Sequence, residues 1–264
     1  MIDARCLRID LAALAFATLA LLPSPAIAEV AVGAARIVVA DVSAETTVAS
    51  RRLATSDEVR YRELIATERS SAAVIQFIDS TELAIGEQAR VRLDEFVFDP
   101  GSAGKLGLTL EFGALRFSTG SMAKSAYKIA TPSATLAVRG TEFDLAVSDD
   151  GATYLMVRHG AVEVTGTNGE SRLVGADQSL TVSAVGVPSQ PRLAALSPVG
   201  ALPGKIAAMD AALAGALAAS SGDQLDDLSV LAKARSLRNA TPSDLGKPGK
   251  PGRPDKGGGK PGPR

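Results

Sequence analysis

The chain is poor in the residues from which most catalytic and metal sites are built. Its 264 residues include one cysteine, one histidine and no tryptophan, and aromatic residues make up only 4%. A single histidine without a nucleophile beside it cannot supply a catalytic triad, and Cys6 has no second cysteine to pair with. Scarce aromatic side chains also argue against a stacking platform for sugars or single-stranded nucleic acid. We therefore expect no nucleic-acid partner.

Motifs that mark enzymes are missing as well. The sequence has no Gly-x-Ser-x-Gly, no His-Glu-x-x-His and no phosphate-cradling glycine loop. Asp94, Glu95 and Asp99 lie close together but lack the ligand set and central glycine of a calcium loop. His159 precedes Gly160 at a predicted hairpin corner, where a structural role is favoured over pH sensing because no partner is visible. The sequence therefore predicts a protein that is not an enzyme and has no cofactor or metal.

An apolar segment near the N-terminus is typical of a secretion signal. Residues 11–22 form a run of about twelve residues, whereas a membrane-spanning helix needs about twenty. Ala26-Ile27-Ala28 has the small-x-small pattern of a cleavage site. We expect a signal peptide at residues 1–28 and a periplasmic or secreted protein without a thiol, the alternative being an uncleaved anchor. No other apolar segment is long enough to span a membrane.

Positive charge is concentrated at the C-terminus. Residues 246–264 hold six basic side chains against Asp255, a net charge of +5, so the rest of the chain sums to −6 within a total of −1. Glycine, proline and lysine dominate residues 241–264, which predicts a disordered tail. Attachment of this tail to anionic lipid or polymer and a purely solubilising role both remain open.

Residues 29–190 show the alternation of short β-strands. Leu106, Leu108, Leu110 and Phe112 occupy alternate positions until Gly113-Ala114 breaks the run. Upstream, the apolar positions change parity near Asp94-Glu95, which predicts a β-bulge. Turn signals recur at Asp149-Asp150-Gly151 and Thr167-Asn168-Gly169. We predict an all-β domain, an elongated solenoid-like or sandwich arrangement of strands.

The segment around Gly140 organises this domain. Leu136 and Val138 share one parity, whereas Phe143 and Leu145 have the opposite parity. A regular strand cannot place both sets on one face. Glycine tolerates the backbone conformation that a bend or bulge requires, so we predict strand, irregularity at Gly140, and strand again.

The pattern becomes helical after the strands. Ile206, Met209, Leu213 and Leu217 recur at three- and four-residue steps, and residues 223–238 repeat this spacing. We expect a linker with two short helices at residues 191–240.

The central segment resembles the central motif of the FecR domain family. A Thr-Pro pair is followed by small and apolar residues and then by Val-Arg-Gly-Thr-Glu-Phe at 138–143. The resemblance spans roughly residues 48 to 185, because 73–83 resembles the family's early half and 157–164 its closing hairpin. Ser80 stands where a glycine is expected. The motif residues, for which we expect a structural role, are Thr131, Pro132, Val138, Arg139, Gly140, Thr141, Glu142, Phe143 and Gly160. For Arg139 and Glu142, a structural clamp is favoured over a ligand contact, because a buried or semi-buried arginine usually bonds carboxylates or backbone carbonyls.

The resemblance implies an exported β-domain of a bacterial envelope sensor. Signalling members of the family relay a transporter's state to a cytoplasmic sigma factor through an N-terminal helical region and a membrane span. Ten residues precede the apolar segment, too few for such a region, so we expect the β-domain without the whole relay. One hypothesis is a binding and sensing module that meets an envelope protein through a sheet edge or strand face, with the C-terminal helices as a second contact. The alternative is a structural envelope or matrix protein that binds glycan or surface polymer.

Overall fold

The computed structural model describes residues 30–98, 104–196 and 202–219. Within these ranges the chain forms seventeen β-strands, one short 3-10 helix (Ala194–Leu196) and one α-helix, α1 (Leu202–Ala219). The strands are β1 (Ala31–Val39), β2 (Val42–Glu45), β3 (Ser50–Arg52), β4 (Glu58–Arg60), β5 (Leu64–Thr67), β6 (Ala72–Phe77), β7 (Glu82–Ile85), β8 (Ala89–Val97), β9 (Lys105–Ser118), β10 (Tyr127–Ala130), β11 (Ala134–Val138), β12 (Glu142–Val147), β13 (Thr153–His159), β14 (Ala161–Gly166), β15 (Ser171–Gly175), β16 (Gln178–Val182) and β17 (Arg192–Leu193).

The strands form two open sheets that share β9. Sheet A has the order β4-β1-β6-β7-β9-β12-β13-β16-β17. Sheet B has the order β3-β2-β5-β8-β9-β10-β11-β14-β15. All neighbours are antiparallel except β9 and β10, which are parallel. The chain moves back and forth between the sheets, and the mainly β architecture predicted from the sequence is confirmed.

Strand β9 changes sheets at Gly113. Residues 105–112 pair with β8 in sheet B, whereas residues 113–118 pair with β12 in sheet A. Gly113 has a φ of +97°, and a Cβ there would lie 2.3 Å from the Cβ of Ala89. The predicted break is therefore a crossing within one continuous strand. Phe112, predicted on the apolar face, is 38% exposed because it stands directly before the crossing.

A second crossing lies at Gly140, as the parity change predicted. Strand β11 belongs to sheet B and β12 to sheet A, and Gly140 between them has a φ of +68°. Since the two sheets face each other, the chain must change parity to keep both Val138 and Phe143 in the core. The bulge predicted near Asp94-Glu95 is also confirmed, because the register of β8 against β9 shifts between Leu93 and Glu95.

One continuous apolar core lies between the sheets. Phe117 of sheet A meets Tyr127 of sheet B edge-on at 5.8 Å between ring centroids, and Phe143 lies 5.5 Å from Phe117. Nearer the N-terminal end, Phe77 stacks on Phe96 across the sheets at 5.7 Å. The Phe117–Tyr127 and Phe77–Phe96 pairs join the two sheets and show that their inner faces pack directly against each other.

Helix α1 corresponds to the first of the two predicted helices. Ile206, Met209 and Leu213 are its buried apolar residues. No helix within the described ranges is long and apolar enough to cross a membrane. The chain divides into two units between Leu213 and Ala214.

Three sequence predictions lie outside the described residues. They are the signal peptide at 1–28, the second helix at 223–238 and the tail at 241–264.

Candidate partner-binding surface

The second half of the central motif lies at the crossing from β11 to β12. Val138 and Phe143 are fully buried on the two inner sheet faces, and Thr141 between them is buried as well. Arg139 and Gly140 are exposed. The crossing therefore presents a short exposed segment whose two ends are fixed in the core.

Gly160 holds this crossing in place from the side. It has a φ of +79°, and a Cβ at this position would lie 2.3 Å from the Gly140 carbonyl oxygen and 2.6 Å from Thr141 Cγ2. Only glycine permits this approach, because any other side chain would overlap backbone atoms. The β13–β14 corner is thus packed against the β11–β12 crossing.

Two ionic pairs border the crossing. Arg139 Nη2 lies 2.9 Å from Glu163 Oε2 on β14, and the Arg139 side chain is 62% exposed. His159 Nδ1 lies 3.6 Å from Glu142 Oε2, an ion pair when the imidazole is protonated. Arg139 is therefore a surface residue that bonds a carboxylate of a neighbouring strand, and the structural role favoured for it from the sequence stays a prediction. Exposed pairs of this kind stabilise a fold little and leave both charges accessible to a partner.

The first half of the motif lies at the other end of β11. Thr131 Oγ1 accepts a hydrogen bond from the Ala134 amide at 3.0 Å and one from Thr153 Oγ1 at 2.8 Å. Ser133 Oγ lies 2.8 Å from Thr153 Oγ1 in the same network. Thr131 and Pro132 thus form the turn between β10 and β11, and the structure does not bring them together with Arg139 and Glu142.

Asp79, which the sequence analysis treated only as a turn residue, is buried and hydrogen-bonded near the crossing. Asp79 is 1% exposed, and its carboxylate accepts hydrogen bonds from the Thr81 amide and hydroxyl and from the Tyr127 hydroxyl at 2.6–3.0 Å. Ser80, where a glycine was expected, has a φ of +66°. The backbone oxygen of Asp79 accepts bonds from the Ser121 amide and hydroxyl at 2.8 and 3.0 Å.

The loop after β9 connects Asp79 to the motif. Thr119 and Thr141 exchange two hydrogen bonds of 3.1 Å, and a Cβ on Gly120 would lie 2.2 Å from the Asp79 carbonyl oxygen. We call the combined surface of residues 79–81, 119–122, 139–142 and 159–160 the motif rim. Its backbone is fixed by close glycine contacts and side-chain hydrogen bonds, which makes it a preorganised surface.

The Tyr127 hydroxyl belongs to the buried side of this rim. Burial raises the pKa of the Tyr127 phenol above its ordinary value, and the neighbouring Asp79 carboxylate adds to the rise. The same hydroxyl accepts a hydrogen bond from the Met122 amide at 3.1 Å. Tyr127 therefore remains a neutral structural donor and is not suited to proton transfer at neutral pH.

A second charged group lies on the outer face of sheet A. The Asp144 carboxylate, with no exposed surface, accepts hydrogen bonds from Arg116 Nε at 2.7 Å and from Arg158 Nε and Nη2 at 2.9 and 2.6 Å. Arg116 Nη1 also donates to Asp210 Oδ1 on α1 at 2.8 Å. Burial alone would lower the pKa of Arg116, but the carboxylates of Asp144 and Asp210 outweigh burial and raise it. Sequence reasoning missed this group because Arg116 and Asp144 alternate with apolar residues as solvated strand residues do.

The described residues offer binding groups more readily than catalytic ones. Among them, no three His, Cys, Asp or Glu side chains are grouped so that they could hold a metal ion. The buried carboxylates of Asp79 and Asp144 are each occupied by three donors, so neither is free to move a proton to or from a substrate.

Comparison with known proteins identifies the domain. Residues 63–163, from β5 to β14, match the family model described as FecR protein. Two crystal structures, at 2.50 and 1.65 Å resolution, of a candidate anti-sigma factor from Parabacteroides distasonis are similar at 16% identity and a TM-score of 0.40. Each alignment covers 50% of this chain and 62% of that protein. A search of curated proteins found no match. The chain thus carries a FecR-like domain over residues 63–163.

Proposed function

We propose that this chain is an exported, non-catalytic binding and sensing module whose motif rim contacts a protein partner in envelope signalling. The observation that carries the proposal is the position of the FecR motif. Its apolar residues Val138 and Phe143 are buried, whereas its charged residue Arg139 is exposed between them on a rigid crossing. The fixed crossing thus presents the Arg139 side chain at a defined position on the surface.

The charges around the crossing suit recognition of a folded protein. Arg139 and Lys124 supply positive charge, Glu142 and Glu163 supply negative charge, and Lys124 lies beside Gly140. Complementary patterns of both signs steer association and select partners. Because the crossing is held by Gly160 and Thr141, little ordering is needed when a partner binds.

Cross-linking in the native envelope, followed by identification of the linked protein, tests the proposal. We expect one protein to be recovered with the wild-type chain and to be lost with Arg139→Glu. The matched control is Arg52→Glu, which reverses a charge in another exposed ion pair, Arg52–Asp41 at 2.7 Å, outside the family match. This control is expected to retain the partner.

Two results would count against the proposal. Recovery of glycan-bound material without any protein would favour a structural envelope or matrix protein. Equal recovery of the protein with Arg139→Glu and Arg52→Glu would show that the motif rim is not the contact surface. Circular dichroism spectra of both variants are compared with that of the wild-type chain, and we expect neither substitution to unfold the domain.

A further inference from the structure

The outer face of sheet A that α1 covers forms a shallow groove. Its floor includes Ala114 and Ala146, which pair across β9 and β12 and are almost completely buried although they point away from the core between the sheets. A Cβ placed on Gly86 would lie 3.5 Å from Met209 Cβ of α1. Small residues on the sheet therefore let the helix backbone approach closely.

The same face carries a buried arginine, Arg116, with which α1 forms an ion pair. On the sheet, two guanidiniums, Arg116 and Arg158, share the carboxylate of Asp144. Asp210 supplies the second carboxylate from the helix, 2.8 Å from Arg116 Nη1. Arg116 is nine-tenths buried, and its Nη2 has no hydrogen-bond partner among the described residues. A helix with an acidic side chain at the position of Asp210 therefore matches the charge of Arg116 at this face.

Helix α1 attaches to the domain along one face, since residues 207, 208, 211, 214 and 215 are exposed. Its buried apolar residues, Ile206, Met209 and Leu213, follow one another at three- and four-residue spacing in an alanine-rich helix of 18 residues. The boundary between the two units of the chain falls inside the helix, after Leu213. A helix that packs on the surface of a domain along one face can open locally without unfolding the sheets.

We propose that the outer face of sheet A is a helix-binding groove, that α1 is its exchangeable occupant, and that a partner helix with small and apolar residues around one carboxylate competes with α1. The proposal rests on the proposed function as a protein-binding module and names the chemistry of the partner. The occupant is read from α1 itself, since the spacing of Ile206, Met209 and Leu213 around Asp210 defines what the face accepts. Displacement of α1 is then the structural signal of binding.

Exchange of α1 can be measured without knowing the natural partner. The probe is a fluorescent peptide of residues 202–219, added to the full chain and followed by anisotropy. In an opened variant, Ile206→Asp with Met209→Asp, α1 can no longer occupy the groove, and we expect the peptide to bind at least about tenfold tighter than to the wild-type chain. A peptide with Asp210→Asn is expected to bind the opened variant about tenfold more weakly, because the charge-assisted bond to Arg116 is lost. Adding Gly86→Leu to the opened variant fills the groove and abolishes binding.

The contrary results are equally specific. If the opened variant keeps its β-sheet circular dichroism but binds the peptide no better than the wild-type chain does, no exchangeable groove exists. Equal affinity for the original and Asp210→Asn peptides would remove the role of the carboxylate.

Hydrogen exchange on the wild-type chain gives an independent measurement if the opened variant does not fold. We expect amides of residues 206–213 to exchange at least about tenfold faster than those of β12. Equal protection would make α1 a permanent part of the domain and overturn the proposal.

The two proposals fail in different ways. Loss of peptide exchange leaves the motif rim and its envelope partner untouched. Failure to recover any envelope protein sinks the proposed function, whereas the peptide measurement still reports on the groove.

Discussion

Asp144→Asn is expected to destabilise the domain more than any exposed charge removal. The substitution keeps the shape of the side chain but removes the one carboxylate that accepts three hydrogen bonds from Arg116 and Arg158. An amide nitrogen would also face a guanidinium donor, which cannot accept a bond from it. Arg116 would then depend on Asp210, and Arg158 on solvent.

The expected loss of unfolding free energy follows from how deeply Arg116 and Arg158 are buried. Breaking a buried ion pair by removing one partner costs about 3–5 kcal/mol. Arg116, with a side chain 10% exposed, cannot recover its loss from water, whereas Arg158, at 28%, recovers part of it. We therefore expect the free energy of unfolding to fall by about 3 kcal/mol, and the melting temperature by about 6–12 °C for a domain of this size.

Thermal and urea unfolding followed by far-ultraviolet circular dichroism measures this change. Glu163→Gln is the matched control, because it also neutralises an acidic partner of an arginine but in the exposed pair with Arg139. It is expected to cost at most about 1 kcal/mol. If Asp144→Asn costs no more than Glu163→Gln, the buried charge group does not stabilise the fold and the reasoning from burial is refuted.

Three further predictions concern the motif, the buried phenol and the tail. Gly160→Ala is expected to lower the free energy of unfolding by about 2–4 kcal/mol, because the added methyl group overlaps Gly140 and the residue is strained at a positive φ. The control, Gly169→Ala, has the same sign of φ but open space around its Cβ and is expected to cost about 1 kcal/mol. Equal losses in urea unfolding would contradict the packing of the β13–β14 corner against the β11–β12 crossing. The pKa of Tyr127 is raised in the folded state, so its contribution to stability is complete below the unfolded-state pKa of about 10 and is lost as the pH rises toward the folded-state value. The melting temperature should therefore fall less between pH 9 and about 11 in Tyr127→Phe than in the wild-type chain. Deletion of 246–264 is expected to reduce co-sedimentation with anionic vesicles and its dependence on salt, since the segment carries a net charge of +5; salt-independent sedimentation that the deletion leaves unchanged would show that the tail does not attach the chain.

The sequence predicts the features of this fold that depend on neighbouring residues. The crossing at Gly140 and the bulge near Asp94-Glu95 both follow from a change of apolar parity within a few residues. The same pattern located the irregularity at Gly113 but not its form, because a strand that ends and a strand that changes sheets produce the same parity signal. Which strands pair, including the parallel contact of β9 with β10, depends on residues far apart in the chain and leaves no local signal.

The local sequence also does not predict which charged residues are buried. The sequence leaves the exposure of Arg139 open, and the residue lies at the surface because the chain crosses between sheets there. Arg116 alternates with Leu115 and Phe117 as an exposed strand residue would, yet it is buried because α1 returns 94 residues later to cover it. Burial of a polar residue on an outer sheet face is decided by what covers that face, and periodicity within one strand does not contain this information.

Site-specific photo-cross-linking in the native envelope tests the central claim, that the motif rim is a protein-binding surface, most directly. A photoreactive residue is placed in turn at two exposed rim positions, 139 and 159, and at two exposed positions away from the motif rim, 52 and 173. The proposed function predicts that one and the same protein is cross-linked from positions 139 and 159 and not from 52 or 173. Cross-links of equal yield from all four positions, or glycan adducts alone, would contradict it.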